Sequence, residues 1–261
     1  MKIATWNING VKARLDNVIT WLKEADPDVA CLQEIKSVDE NFPREAFEDA
    51  GYNVETHGQK SFNGVALLSK RPLEDVRRGL PGDSTDEQAR FIDGVAIEDG
   101  FAVRIAGIYL PNGNPLGTEK FDYKKAWMER LIAYAEAGLE ADEPLLIAGD
   151  YNIIPTPIDC ANPKAWQDDA LYQPESRDVF FRLTNLGLTD AIRATEPAEE
   201  TYTFWDYQAG AWQKNNGIRI DHILLSPRAA DRLEHAAIDK HTRGWEKPSD
   251  HVPVWVELGT A

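Results

Sequence analysis

Apolar runs of strand length recur from one end of the chain to the other, and they limit the fold more than any other feature. They are "KIATWN" at 2–7, "VACLQE" at 29–34, "GVALLS" at 64–69, "GVAIE" at 94–98, "VRIAGIYL" at 103–110, "LLIAGD" at 145–150, "IDHILLS" at 220–226 and "VPVWVEL" at 252–258. Continuous runs this short, bounded by Gly, Pro, Asp and Asn, suit strands buried on both faces. Between them, helical periodicity appears in "ARLDNVITWLKEA" at 13–25, "FDYKKAWMERLIAYAEAGLEA" at 121–141 and "RDVFFRLTNLG" at 177–187, with Gly187 placed as a C-cap. Strands mixed with helices over 261 residues predict an α/β layered fold. Several strands follow one another through short turns only, so mixed sheets with hairpins are expected rather than strict βαβ units.

The polar residues of these runs fall at their boundaries. "KIATWN" ends in Asn7, "VACLQE" in Glu34, "VRIAGIYL" leads through Tyr109 to Asn112, and "LLIAGD" ends in Asp150 with Asn152 just beyond. Asp221 stands at the start of "DHILLS", and Asp250 and His251 precede "VPVWVEL". A carboxylate leaving a buried strand is costly unless it is paired, hydrogen-bonded or bound to a metal. Each residue has an ordinary structural account of its own: an Asx turn for Asp150 and Asn152, a helix N-terminus for Glu34, a core edge for Tyr109, a surface carboxylate near Arg219 for Asp221, a strand cap for His251. Their repetition at one kind of boundary predicts a single cleft that collects them all.

Composition narrows the partners. The net charge is -16 and the pI about 4.7, which opposes bulk electrostatic binding to nucleic acid, since phosphate neutralisation needs Lys and Arg at the contact. A cleft of carboxylates around a divalent cation adds to that negative count while presenting positive charge to a substrate, so a metal-dependent nuclease remains compatible. No linker, repeat or low-complexity segment divides the sequence, and residues 1–261 are expected to form one domain. No run reaches membrane-spanning length and no export signal is visible. Cys31 within an apolar run and Cys160 after Asp159 in an expected loop make no disulfide framework, which predicts a reducing, cytoplasmic compartment.

"WNING" at 6–10, "LQEIK" at 32–36, "YLPNG" at 109–113, "GDYNI" at 149–153, "RIDHILLS" at 219–226 and "KPSDHVPVW" at 247–255 resemble, in order, the motif series of the exonuclease III and apurinic/apyrimidinic endonuclease family. The resemblance spans nearly the whole chain. It implies a four-layered α/β sandwich, two packed mixed β-sheets flanked by helices, with a Mg²⁺- or Mn²⁺-dependent phosphodiesterase site at one end. It also implies double-stranded DNA with abasic sites or 3′ ends as substrate, DNA repair as the setting, and a monomer with no membrane partner. The wider superfamily includes phosphatases and phosphodiesterases acting on non-DNA phosphoesters, so fold alone does not choose the substrate. A Tyr and no His in "YLPNG", and the form of "EKPSDH", favour the repair branch.

By the same resemblance the metal ligands are drawn from Asn7, Glu34, Asp150, Asn152, Asp250 and His251, and the catalytic groups are Tyr109, Asp150, Asn152, Asp221 and His251. Glu34 supplies a hard oxygen to the cation; Asp221 holds the His251 ring, which donates to a phosphate oxygen. Asp150 activates water or protonates the leaving group, oriented by Asn152, and Tyr109 and Asn112 steady the phosphoryl oxygens or the leaving group. "TFWDY" at 203–207 and "NNGIRIDH" at 215–222 resemble the segments that line the family's abasic-sugar pocket, which makes Phe204, Ile218 and Ile220 an apolar slot. Two departures stand out. Asn112 is shorter than the Gln of one relative, and the segment from Cys160 to Ser176 carries only Lys164, with Arg177 just beyond, where relatives are more basic.

Overall fold

The computed structural model describes residues 1–195 and 201–260. Twelve strands and six α-helices follow in the order β1 (Lys2–Asn7), α1 (Val11–Ala25), β2 (Val29–Gln33), α2 (Arg44–Asp49), β3 (Asn53–His57), β4 (Val65–Ser69), β5 (Glu74–Arg78), β6 (Phe91–Glu98), β7 (Phe101–Tyr109), α3 (Glu119–Glu140), β8 (Leu145–Asp150), α4 (Pro174–Asn185), β9 (Thr189–Asp190), α5 (Ala191–Thr195), β10 (Asp221–Leu225), α6 (Pro227–Ala230), β11 (Leu233–Ile238) and β12 (Val254–Leu258). They build two six-stranded sheets, one ordered β11-β12-β1-β2-β4-β3 and the other β5-β6-β7-β8-β10-β9. Both are mixed: β1 runs parallel to β2 and antiparallel to β12, and β8 runs parallel to β7 and antiparallel to β10.

Each apolar run serves two layers at once, because successive side chains of a strand point to opposite faces. Ile3, Val29, Cys31, Val65 and Leu67 of the first sheet meet Ile92, Val103, Ile105, Leu146 and Ile223 of the second in a core between the sheets. The alternate residues Ala4, Trp6, Leu32 and Leu68 face outward onto Val18, Trp21 and Leu22 of α1 and Phe47 of α2. On the far side Ala106, Ile108 and Ile147 pack on Trp127, Met128 and Leu131 of α3 and on Val179, Phe180 and Leu183 of α4. The result is the expected helix–sheet–sheet–helix sandwich.

The strand ends converge as the boundary pattern predicts. Asn7 pairs in register with Gln33, so Glu34 lies one residue past the end of β2. Tyr109 stands opposite Asp150 across β7 and β8, and Asp221 opposite Asp150 across β8 and β10. Gly149 precedes Asp150 because a Cβ there would sit 1.9 Å from the carbonyl oxygen of Ile108. β12 begins at Val254, three residues after His251, so Asp250 and His251 belong to the loop feeding that strand rather than to its first turn.

The strands without an apolar run are β3, β5, β9 and β11, which are the four edges of the two sheets. An edge strand has one free hydrogen-bonding side and is commonly blunted with charge. β5 reads "EDVRR" and is largely exposed. Cys160, expected in a loop, is buried and forms an isolated bridge with Ile218. No helix among the described residues is long and apolar enough to cross a membrane.

Candidate active site

Asn7, at the end of β1, joins the two sheets. Its side-chain amide lies 3.0 Å from Glu34 Oε1 and 3.0 Å from Asp150 Oδ2, donating to a carboxylate of each sheet. Glu34 is turned into this position by a left-handed backbone, φ +50°. A residue that is neither Gly nor Asn costs about 1 kcal/mol or more there. The conformation brings Glu34 Oε1 within 2.9 Å of the Tyr109 hydroxyl, which donates to it, and Glu34 Oε2 within 2.9 Å of Lys36 Nζ. Burial raises the Glu34 carboxyl, but the hydrogen bonds from Asn7 and Lys36 and the positive charges of Lys36 and His251 outweigh it and hold the group below its ordinary value. Burial and the Glu34 and Asp150 charges push the Tyr109 phenol well up.

Asp150 is 1% exposed, and its Oδ1 accepts the backbone N–H of Asn152 at 2.9 Å. Asn152 has φ +47°, a conformation Asn tolerates, and its amide donates to the Leu110 carbonyl at 2.9 Å. Asn112 is exposed at the rim and donates to Asn152 Oδ1 at 3.3 Å. His251 Nδ1 donates to Asp221 Oδ2 at 2.8 Å, and His251 Nε2 faces Asp150 Oδ2 at 3.7 Å. Burial lowers the imidazole, yet the Asp221 and Asp150 carboxylates beside it override this and raise it to about 10. Burial, with the Asp221 charge, pushes Asp150 up to about 7 against the lowering effect of His251. One imidazolium thus lies between two carboxylates.

Asp221 is not a surface partner of Arg219. The guanidinium turns away to Asp159 at 2.7 Å and Asp190 at 2.8 Å, and Asp221 itself is fully buried. Among the described residues its Oδ1 is buried without a hydrogen-bond partner, and Asp150, Asp221 and His251 bring polar atoms within 4.8 Å of one another, so that the two carboxylates offer oxygens to a metal ion beside the imidazolium. An orphaned carboxylate oxygen among hard oxygen donors fits a hard divalent cation. Asp250 is more peripheral: its Oδ1 accepts from the Asn9 amide at 3.1 Å and from Ser249 at 3.4 Å.

The three residues expected to form the apolar slot do not share one exposure. Ile218 and Ile220 are 1% and 2% exposed and pack with Ile154, Cys160 and Leu171, so they offer almost no free surface. Phe204 is half-buried, with its ring 5.0 Å from that of His251 at 66°. Arg177 is engaged locally, donating to the Pro155 carbonyl at 2.9 Å and lying over Tyr172.

Three residues of the site lack any signal in the boundary pattern. Asn9 bridges Lys36 and Asp250, Lys36 pairs with Glu34, and Lys124 of α3 reaches beneath Asn112 and Asn152. Asn9 and Lys36 stand inside the quoted "WNING" and "LQEIK", both at positive φ, where Asn is a common choice and Lys is not.

Comparison with known proteins places this geometry. The chain is 40% identical to an exodeoxyribonuclease III of Haemophilus influenzae over 267 residues, covering 99% of this chain and 100% of that protein. Among solved structures it resembles a 3′ phosphatase from Neisseria bound to product DNA hairpin, at 37% identity and a TM-score of 0.93, with 99% of both chains covered. It is equally similar to an AP endonuclease from Archaeoglobus fulgidus, at 36% identity and a TM-score of 0.93 over the whole of both chains. The profile of the endonuclease/exonuclease/phosphatase family matches residues 4–251, a span that runs from the middle of β1 to His251 and takes in every group of the cleft named above. With both sheets, the converging strand ends and that match in agreement, the chain belongs to the endonuclease/exonuclease/phosphatase family.

Proposed function

We propose that this protein is a metal-dependent DNA-repair phosphodiesterase of the exonuclease III type. It cleaves 5′ to abasic sites, degrades duplex DNA from 3′ ends and removes 3′ blocking groups, acting as a cytoplasmic monomer built from one domain, residues 1–261. The observation that carries this reading is the buried sequence Asp221–His251–Asp150, with 2.8 Å and 3.7 Å between neighbouring polar atoms, opening beside Phe204. The names of the related proteins, which all concern DNA ends or abasic sites, support the choice of substrate.

Hydrolysis of a phosphodiester needs an oriented water, charge for the phosphoryl oxygens and a proton for the leaving oxygen. Asp221 fixes the His251 ring so that Nε2–H points to a phosphoryl oxygen. Asp150, whose proton affinity is set near neutrality by burial, takes a proton from the attacking water. Asn152 orients Asp150 through its backbone N–H, and Asn152 and Asn112, each with one amide N–H spent on the Leu110 carbonyl and on Asn152 Oδ1 respectively, turn the other to the phosphate. The Tyr109 hydroxyl lies at the Glu34 side of the same cleft and steadies the leaving oxygen, which takes up the proton that Asp150 accepted from the water. The residues fit Mg²⁺ or Mn²⁺, which would be held by ligands drawn from Glu34, Asp150 and Asp221 Oδ1, with Asn7, Asn152 and Asp250 as further ligands, leaving His251 as a donor to phosphate. When bound, the ion supplies Lewis-acid charge to the phosphoryl oxygens. Phe204 flanks the sugar, with Ile218 and Ile220 as the packed backing behind it.

Three duplexes test the proposal: one abasic, one intact and blunt-ended, one carrying a 3′-phosphate, each incubated with Mg²⁺ or EDTA. Strand cleavage at the abasic site that requires Mg²⁺ is expected. Absence of cleavage on all three, with release of phosphate from a small phosphoester instead, would overturn the DNA substrate.

A further inference from the structure

Lys124 sits on α3 between Phe121 and Trp127, on the face whose other members are core residues, and it is 0% exposed. Its Nζ donates to three backbone carbonyls: Asn152 at 2.7 Å, Asn112 at 3.1 Å and Ala170 at 3.4 Å. They belong to two connections: Asn112 lies just after β7, while Asn152 and Ala170 lie near the two ends of the segment that runs from β8 to α4. Burial lowers this amine to about 7 against the raising effect of Asp169 and Asp150, and in its protonated form three N–H groups satisfy three carbonyls at once, which a neutral side chain of similar length cannot. The chain passes so close over it that a Cβ on Gly113, at φ +88°, would lie 2.6 Å from Lys124 Cδ. The Asn114 side chain spans the same loops, donating to Asn112 Oδ1 at 2.9 Å and to Asp169 at 3.0 Å while accepting from Ala170 N at 3.0 Å.

We propose that Lys124 is a positioning residue: by holding the backbones of Asn112 and Asn152 to one point, it sets the spacing of the two amides that face the phosphate. The proposal rests on the assignment of Asn112 and Asn152 to phosphate contact made above. Burying a charge at this position is costly, and a core-facing Leu or Met would pack without that cost. The expense has a structural return in the fixed distance between two loops just beyond the point where the β7–β8 pairing ends.

The test is a double-mutant cycle of Lys124→Met with Asn112→Ala, read by single-turnover cleavage of an abasic duplex and by equilibrium binding of that duplex in EDTA. Lys124→Met alone is expected to slow cleavage on the order of 10²-fold, the cost of a misplacement of about 1 Å. In the Asn112→Ala background its effect on both rate and affinity should shrink, because the group it positions is gone. Losses that multiply independently in the double mutant overturn the positioning role and leave Lys124 a packing residue. Asn112→Ala with wild-type rate and affinity would instead remove the phosphate contact itself, and the proposal with it. Should the Met variant fail to fold, the cycle is run with Lys124→Arg, which keeps the charge but meets three convergent carbonyls with a planar fork. The same shrinkage, at smaller size, is then required.

Discussion

His251 and Asp221 come from segments 30 residues apart and meet as a buried hydrogen bond of 2.8 Å, with Phe204 stacked edge-on against the imidazole. The pair fixes which ring nitrogen faces Asp150. Asp221→Asn keeps the side-chain shape but removes the charge that holds the imidazolium and fixes its tautomer. Turnover on an abasic duplex should fall about 10²- to 10⁴-fold, with little change in melting temperature. Wild-type turnover in that variant would show that the pair is structural.

Asp150→Asn removes a proton acceptor while preserving size. Single-turnover cleavage should fall at least about 10²-fold. Duplex affinity measured with Ca²⁺ in place of Mg²⁺ should hold or tighten, since a negative charge near phosphate has been removed. Cleavage within a factor of about ten of wild type would exclude Asp150 as the proton-transferring group.

Glu34 accepts from Asn7 and Tyr109 and pairs with Lys36, so Glu34→Gln loses charge in a site where every partner is a donor. The Mg²⁺ concentration for half-maximal rate should rise, a neutral amide being the poorer ligand for a hard cation. Superimposable Mg²⁺ titrations of the two proteins would take Glu34 out of the metal site.

Phe204 and Ile218 should separate by readout. Phe204→Ala is expected to reduce cleavage at abasic sites more than exonuclease action on intact ends, with a small stability change. Ile218→Ala, at a position 1% exposed, should cost about 2 to 5 kcal/mol of stability and lower both activities together. Equal stability losses in the two variants would make Phe204 a core residue as well.

Asp159 binds Arg219 and Arg193 at 2.7 Å and 2.5 Å and accepts from Thr156 at 2.7 Å. Burial alone would raise its carboxyl; the arginines and Thr156 outweigh that and lower it from 3.8 to about 2. A folded-state value below the unfolded one stabilises fully above about pH 4, and the contribution, on the order of 2 kcal/mol, is lost as pH falls toward 2. Urea midpoints from pH 5 to pH 2 should therefore fall less steeply for Asp159→Asn than for wild type. The variant should also be weaker at neutral pH by about 3 kcal/mol, because Arg219 is left buried with fewer partners. Parallel pH profiles would refute the assignment.

The sequence by itself determined the central strands, the three long helices, the layered class and the boundary at which Asn7, Glu34, Tyr109, Asp150, Asn152, Asp221, Asp250 and His251 gather. Those features are local: apolar runs, periodicity and the polar residue that ends a run are written in consecutive positions. The edge strands β3, β5, β9 and β11 were silent because half of each faces water and carries charge, leaving no apolar run to see. Only the tertiary structure decided what depends on residues far apart in the chain. Asp221 serves His251 and not Arg219, because Arg219 is drawn to Asp159 and Asp190. Ile218 and Ile220 pack inward, behind Phe204, since the segment carrying them bridges to Cys160 and Phe204 and turns their side chains to the core. Lys124 occupies a core-facing helical position that periodicity would give to an apolar residue, and its reason for being there, three carbonyls from two loops, exists only once the loops have met.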